Sequence, residues 1–140
     1  MFNKFFCIGI LCGLLLVGCK TSSMDHVMET STSQVEARQI QSRAFDTRDN
    51  KKTLRTVIAT LQDLGFVIDK ADNELGTVSG TKLDGYNLRM TVVVKPKGNK
   101  QTLVRANATY NVTPIIDAQP YQQFFSALQK AMFLTAHEVE

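Results

Sequence analysis

The sequence predicts an α+β domain, an antiparallel sheet of about four to five strands with two helices packed on one face, in the order β-α-β-β-β-β-α. Three observations predict it. Residues 54–64 and 121–135 carry apolar side chains at spacings of three and four, the helical period. Between them, two long stretches alternate apolar with polar, the pattern of strands with one covered face. The first 36 residues have a different composition and divide from the rest, giving a leader over 1–18, a tether over 19–36 and a domain over 37–140.

The leader has the three parts of an export signal. Lys4 and the amino terminus give a positive start, and Phe5 to Val17 give an uncharged apolar run of 13 residues. Such a run is too short to cross a bilayer as a helix, which needs ~20 residues. Leu16-Val17-Gly18-Cys19 is a lipoprotein cleavage box, with small residues before the cysteine that suit a narrow peptidase groove. Cleavage before Cys19 and its modification with diacylglycerol and an N-acyl chain would leave 122 residues held by two or more acyl chains, enough for stable anchoring. Lys20 follows the cysteine where many inner-membrane lipoproteins carry Asp, which points to the periplasmic face of the outer membrane. From Lys20 to Glu36 the chain is rich in Ser and Thr and lacks aromatic residues, the composition of a flexible tether.

The domain begins with Gln39 to Phe45, read as a strand. Asp46 or Thr47 then offers a helix N-cap, with Asp49 in the first turn, where negative charge suits the helix dipole. Leu54, Val57, Ile58, Leu61 and Leu64 form one stripe, and Gly65 ends the helix in a left-handed conformation. Phe66 to Asp69 reads as a strand and Ala71 to Glu74 as a turn. Leu75 to Lys82 is a strand in which Gly76 and Gly80 flank Val78 on one face, leaving room for a close approach or a bulge. Tyr86 to Lys95 places Leu88, Met90, Val92 and Val94 inward. A turn at Pro96 to Asn99 returns the chain into Gln101 to Val112, with Val104, Ala106, Ala108 and Tyr110 inward. Asp117 caps the last helix and Pro120 suits its first turn. Its apolar side runs through Tyr121, Phe124, Phe125, Leu128, Ala131, Met132 and Thr135, widened by Phe133 and Leu134.

Leu61-Gln62-Asp63-Leu64-Gly65-Phe66 followed by Leu75-Gly76-Thr77-Val78, on a lipidated tether, resembles the helix-grip domains of BamC, a lipoprotein of the outer-membrane β-barrel assembly machine. The Leu-Gln-Asp-Leu-Gly-Phe segment and a last helix containing Phe-Phe also resemble small bacterial lipoproteins of the same kind. The resemblance spans about Arg38 to Thr135, with one such domain where BamC has two. It implies a fold and a periplasmic setting, and it carries over no catalytic residue.

Composition narrows the chemistry. The formal charge is +3, and Lys4 leaves with the leader, so the expected mature chain carries +2, a surplus too small to suggest nucleic acid. Cys7, Cys12 and Cys19 are the only cysteines, so the domain has no thiol for catalysis, zinc or disulfides. His26 and His137 are the only histidines, one in the tether and one near the end, a poor basis for a metal site or a nucleophile–base pair. Asp63, Asp69, Asp72, Glu74 and Asp84 fall at helix ends and turns, where carboxylates are solvated. No glycine-rich loop lies between a strand and a helix. Arg38, Arg43, Arg89 and Arg105 can form a basic stripe on the exposed sheet face, a docking surface for an acidic partner or glycan.

These readings favour a non-enzymatic accessory module of an envelope assembly, efflux or secretion machine, with a protein partner, no metal and no cofactor beyond the lipid on Cys19. The alternative is a lipoprotein that holds a small hydrophobic or cell-wall-derived ligand between helices and sheet. Large Phe and Leu side chains opposite Ala and Gly predict a filled interior, which favours the first.

Overall fold

The computed structural model describes residues 33–83 and 87–137. Leu16, Val17, Gly18, Cys19 and the tether up to residue 32 lie outside the described residues, as do Tyr86 and the side chains of Leu134, Thr135 and His137. The fold is α+β. Helix α1 occupies 33–41, followed by β1 (Ser42–Phe45), α2 (Asn50–Asp63), β2 (Val67–Asp72), β3 (Thr77–Leu83), β4 (Asn87–Lys97), β5 (Gln101–Tyr110), β6 (Thr113–Pro114) and α3 (Ala118–His137). All pairings are antiparallel, in the order β1-β5-β4-β3-β2, with β6 beside β5 next to β1's side of the sheet. Both α2 and α3 pack on one face and against each other.

Helix α2 shows how local chemistry sets its bounds. The Asp49 carboxylate accepts the Lys52 N–H at 2.8 Å, so Asp49 is the N-cap. The sequence places the cap earlier, at Asp46 or Thr47, but both are engaged elsewhere. Asp46 Oδ1 accepts from Gln101 Nε2 at 2.6 Å, and Thr47 Oγ1 accepts the Asp49 N–H, ahead of the helix, at 3.2 Å. At the other end Gly65, at φ +87°, donates to the Gln62 carbonyl while Phe66 donates to that of Leu61. This paired closure satisfies two carbonyls that the helix leaves unbonded, and only glycine takes that φ cheaply. Leu54, Val57 and Leu61 are buried, as are Thr53, Thr56 and Thr60. Each threonine hydroxyl donates to the carbonyl four residues earlier, so burying it leaves no orphaned polar group.

The strands bury alternate residues as their pattern predicts. Val78, Leu88, Met90, Val92, Val94, Val104, Ala106 and Ala108 face the helices, and Tyr121, Phe124, Phe125 and Leu128 of α3 meet them. The rings of Phe124 and Phe125 stand edge to face, 5.0 Å apart. Gly80 allows a close approach, since a Cβ there would sit 3.1 Å from the Val67 carbonyl oxygen and 3.2 Å from Phe66 Cβ. Asp117 accepts the Gln119 N–H and starts α3 as its sequence suggests.

The structure corrects several boundaries. Residues 33–41 are helical, so the tether and the strand from Gln39 both give way to α1, and the compact unit starts at Ser33. Tertiary contact explains it. Ile40 packs on the core and Gln41 Nε2 reaches Tyr121 Oη at 3.3 Å, stabilising a helix too short to persist alone. The β2–β3 turn comes two residues late because the Asp72 carboxylate accepts the N–H groups of Glu74 and Leu75. Pro96 and Lys97 extend β4, and β5 ends at Tyr110, before Asn111 at φ +54° turns the chain into β6. Phe133 is not core but 61% exposed, and Tyr110 reaches the surface.

Tyr121 joins three parts of the domain. Its buried hydroxyl donates to the Ile115 carbonyl at 2.8 Å and accepts the Ala108 N–H at 3.1 Å, besides the contact from Gln41. Ala108 lies on β5 next to the β6 pairing, so the phenol completes the backbone bonding where the two-residue strand cannot.

Candidate docking surface

The face of the sheet away from α2 and α3 carries the odd-numbered residues of β3, β4 and β5. Thr77, Ser79 and Thr81 lie beside Val93, Thr91 and Arg89, which in turn lie beside Arg105, Asn107 and Thr109. Residues directly opposite in an antiparallel pair point to the same side, so this face is a lattice of small hydroxylated and charged side chains. On β1, Ser42 and Ala44 join it through Arg105 and Leu103.

That register separates the four arginines read from the sequence. Arg105 is on the open face, and Arg38 comes close to it from α1. Both line a shallow groove of about 420 Å³ with Val35, Lys95, Lys97 and Leu103. Arg43 touches the rim of this groove, yet it pairs with Val104 and therefore turns to the helix side. Its guanidinium sits 5.1 Å above the Phe125 ring and donates to Gln129 Oε1 at 3.3 Å, so it belongs to the contact between β1 and α3. Arg89 is on the open face but four residues along β4 from the position opposite Arg105, roughly 13 Å away at the rise of a strand. There it meets Asp69, Nε to Oδ2 3.7 Å, and Asp69 also accepts from Thr81 Oγ1 at 2.6 Å. A single four-arginine stripe is thus not formed.

Lys95 and Lys97 take the places of Arg43 and Arg89 in the basic cluster. Alternation along β4 puts Lys95 and Lys97 on the outer face, but only the pairing of β4 with β5 brings them to Arg105. Among the described residues, Arg38, Lys95, Lys97 and Arg105 have no carboxylate within ion-pair distance.

On the helix side, a depression of about 290 Å³ at the start of α3 is lined by Lys82, Leu88, Tyr110, Asp117, Gln119 and Gln123. The opening between helices and sheet, lined by Phe66, Lys82, Met90 and Pro120 among others, is about 50 Å³, room for a water or two. A larger depression of about 620 Å³ at the start of α2 is lined by Arg48, Asp49, Lys51 and Glu74, and its charges are mixed. Among the described residues no three acidic, histidine or cysteine side chains cluster as metal ligands, and no helix is long and apolar enough to cross a membrane. Compared with protein-family models and with curated proteins, the chain finds no match.

Proposed function

We propose that this chain is a lipoprotein anchored through Cys19 to the periplasmic face of the outer membrane. There it serves as a non-enzymatic interaction module of an envelope assembly, efflux or secretion machine, with a domain of the BamC-like kind. The observation that carries this reading is the division of labour in the sheet. One face is filled by α2 and α3, and the other is open, polar and bears four cations along one groove that have no ion-pair partner among the described residues. The core between helices and sheet is filled down to about 50 Å³ beside Phe66 and Met90, and the adjoining depression of about 290 Å³ is lined by the polar Lys82, Asp117, Gln119 and Gln123, which speaks against a small hydrophobic ligand there. The reading asks for no cofactor beyond the acyl chains.

Fractionation and copurification test it. The full chain should sediment with membranes, and Cys19→Ala should release it; a Cys19→Ala chain that stays membrane-bound would remove the anchor from the proposal. Detergent extraction should recover the full chain with a protein partner. Recovery as a monomer alone would count against an interaction module.

A further inference from the structure

Resting on that reading, we infer that the groove between α1 and the open sheet face binds an extended acidic segment of a partner protein, with carboxylates at alternate positions. The spacing of the cations carries the inference. Lys97 and Lys95 are successive outward positions on β4, and Arg105 stands opposite Val93, the next one. The three therefore mark successive two-residue steps along the sheet, about 7 Å apart. An extended peptide repeats its alternate side chains at the same interval, so one running beside β4 and β5 presents a carboxylate to each cation in turn. Arg38 supplies a fourth positive charge from the opposite wall, on α1.

The other observations agree in sign and shape. All four side chains are exposed, and among the described residues none is neutralised by a carboxylate. Among the described residues that line the groove, none is acidic. Leu103 and the half-exposed Val35 give it an apolar floor on which the backbone of a peptide can lie. The volume of about 420 Å³ suits a few residues of extended chain, whereas the plane of a bilayer surface cannot follow a groove bounded by a helix.

Photocrosslinking in the native host tests this with the full, lipidated chain. The probe is Gln39→p-benzoylphenylalanine on the α1 wall, with Val67→p-benzoylphenylalanine and Thr91→p-benzoylphenylalanine elsewhere on the open face. The expected product at position 39 is a protein segment with carboxylates at alternate positions, identified by mass spectrometry. Its yield should fall roughly tenfold in the double variant Arg38→Glu, Arg105→Glu, as loss of two surface charge pairs predicts, and by a smaller factor in Lys97→Glu, which loses one. These residues are exposed, and an unchanged circular dichroism spectrum will show that the fold survives. A product that is lipid or polysaccharide overturns the inference, as does a protein segment without acidic residues or a yield indifferent to charge reversal. If position 39 gives nothing while 67 or 91 captures a protein, the groove is wrong and the interaction module stands. If no position captures a protein, both fall.

Discussion

Along β4, Leu88, Met90, Val92 and Val94 are buried under the helix layer, while Arg89, Thr91, Val93 and Lys95 on the same strand look outward. The two sets differ by one residue of register and by almost everything else. On the covered side each side chain is hemmed in by α2 or α3, so its volume is fixed and its loss leaves a cavity. On the open side the neighbours are Thr, Ser, Asn and the cations of the groove, and among the described residues no layer of helix packs over them. Stability is therefore concentrated on one face, and the other can change its chemistry without endangering the fold.

The sharpest way to break this contrast is at Phe124, which is fully buried. Phe124→Ala should destabilise the domain by about 3–5 kcal/mol, read from urea unfolding, because the hole cannot collapse between helix and sheet. A loss below 1 kcal/mol would mean that the interior is loosely packed. An intermediate effect is expected at Tyr121→Phe, about 1–3 kcal/mol, since the buried Ala108 N–H and Ile115 carbonyl lose a partner while the ring stays. Hydrogen exchange at Ala108 should speed up with it; unchanged exchange would show that the phenol is not what protects this N–H. The smallest effect belongs to the open face. Asp69→Ala removes the 3.7 Å pair with Arg89, whose side chain is 59% exposed, and should cost less than about 1 kcal/mol, diminishing further in high salt. A cost approaching that of Phe124→Ala would erase the distinction between the faces.

What could be read from the sequence follows the same division. The helix stripe from Leu54 to Leu64, the left-handed Gly65 and the inward residues of β4 and of β5 up to Ala108 are local patterns, and the structure has them; Tyr110, read as inward, lies at the surface. The cap sits at Asp49 rather than Asp46 because Gln101, fifty-five residues away, holds the Asp46 carboxylate, a bond that no window around Asp46 contains. Helix α1 is not legible for a related reason: its hydrogen-bond partner Tyr121 lies eighty residues from Gln41, and Ile40 is held by the assembled core. Arginine positions alone gave a false stripe at Arg43. A four-residue strand places its side chains by register, and that register comes from pairing with β5 rather than from the composition of β1. Lys95 is legible as an outward residue, but Lys97 falls in the turn read over Pro96 to Asn99, and the company of both with Arg105 and Arg38 depends on strand pairing.

The position of α3 after all six described strands has a consequence for the order in which the domain closes. Its Tyr121, Phe124, Phe125 and Leu128 are among the largest fully buried side chains, and α3 packs on β5 from the helix side. The inner face of the sheet is therefore incompletely covered until α3 has been made, however early the strands before it emerge.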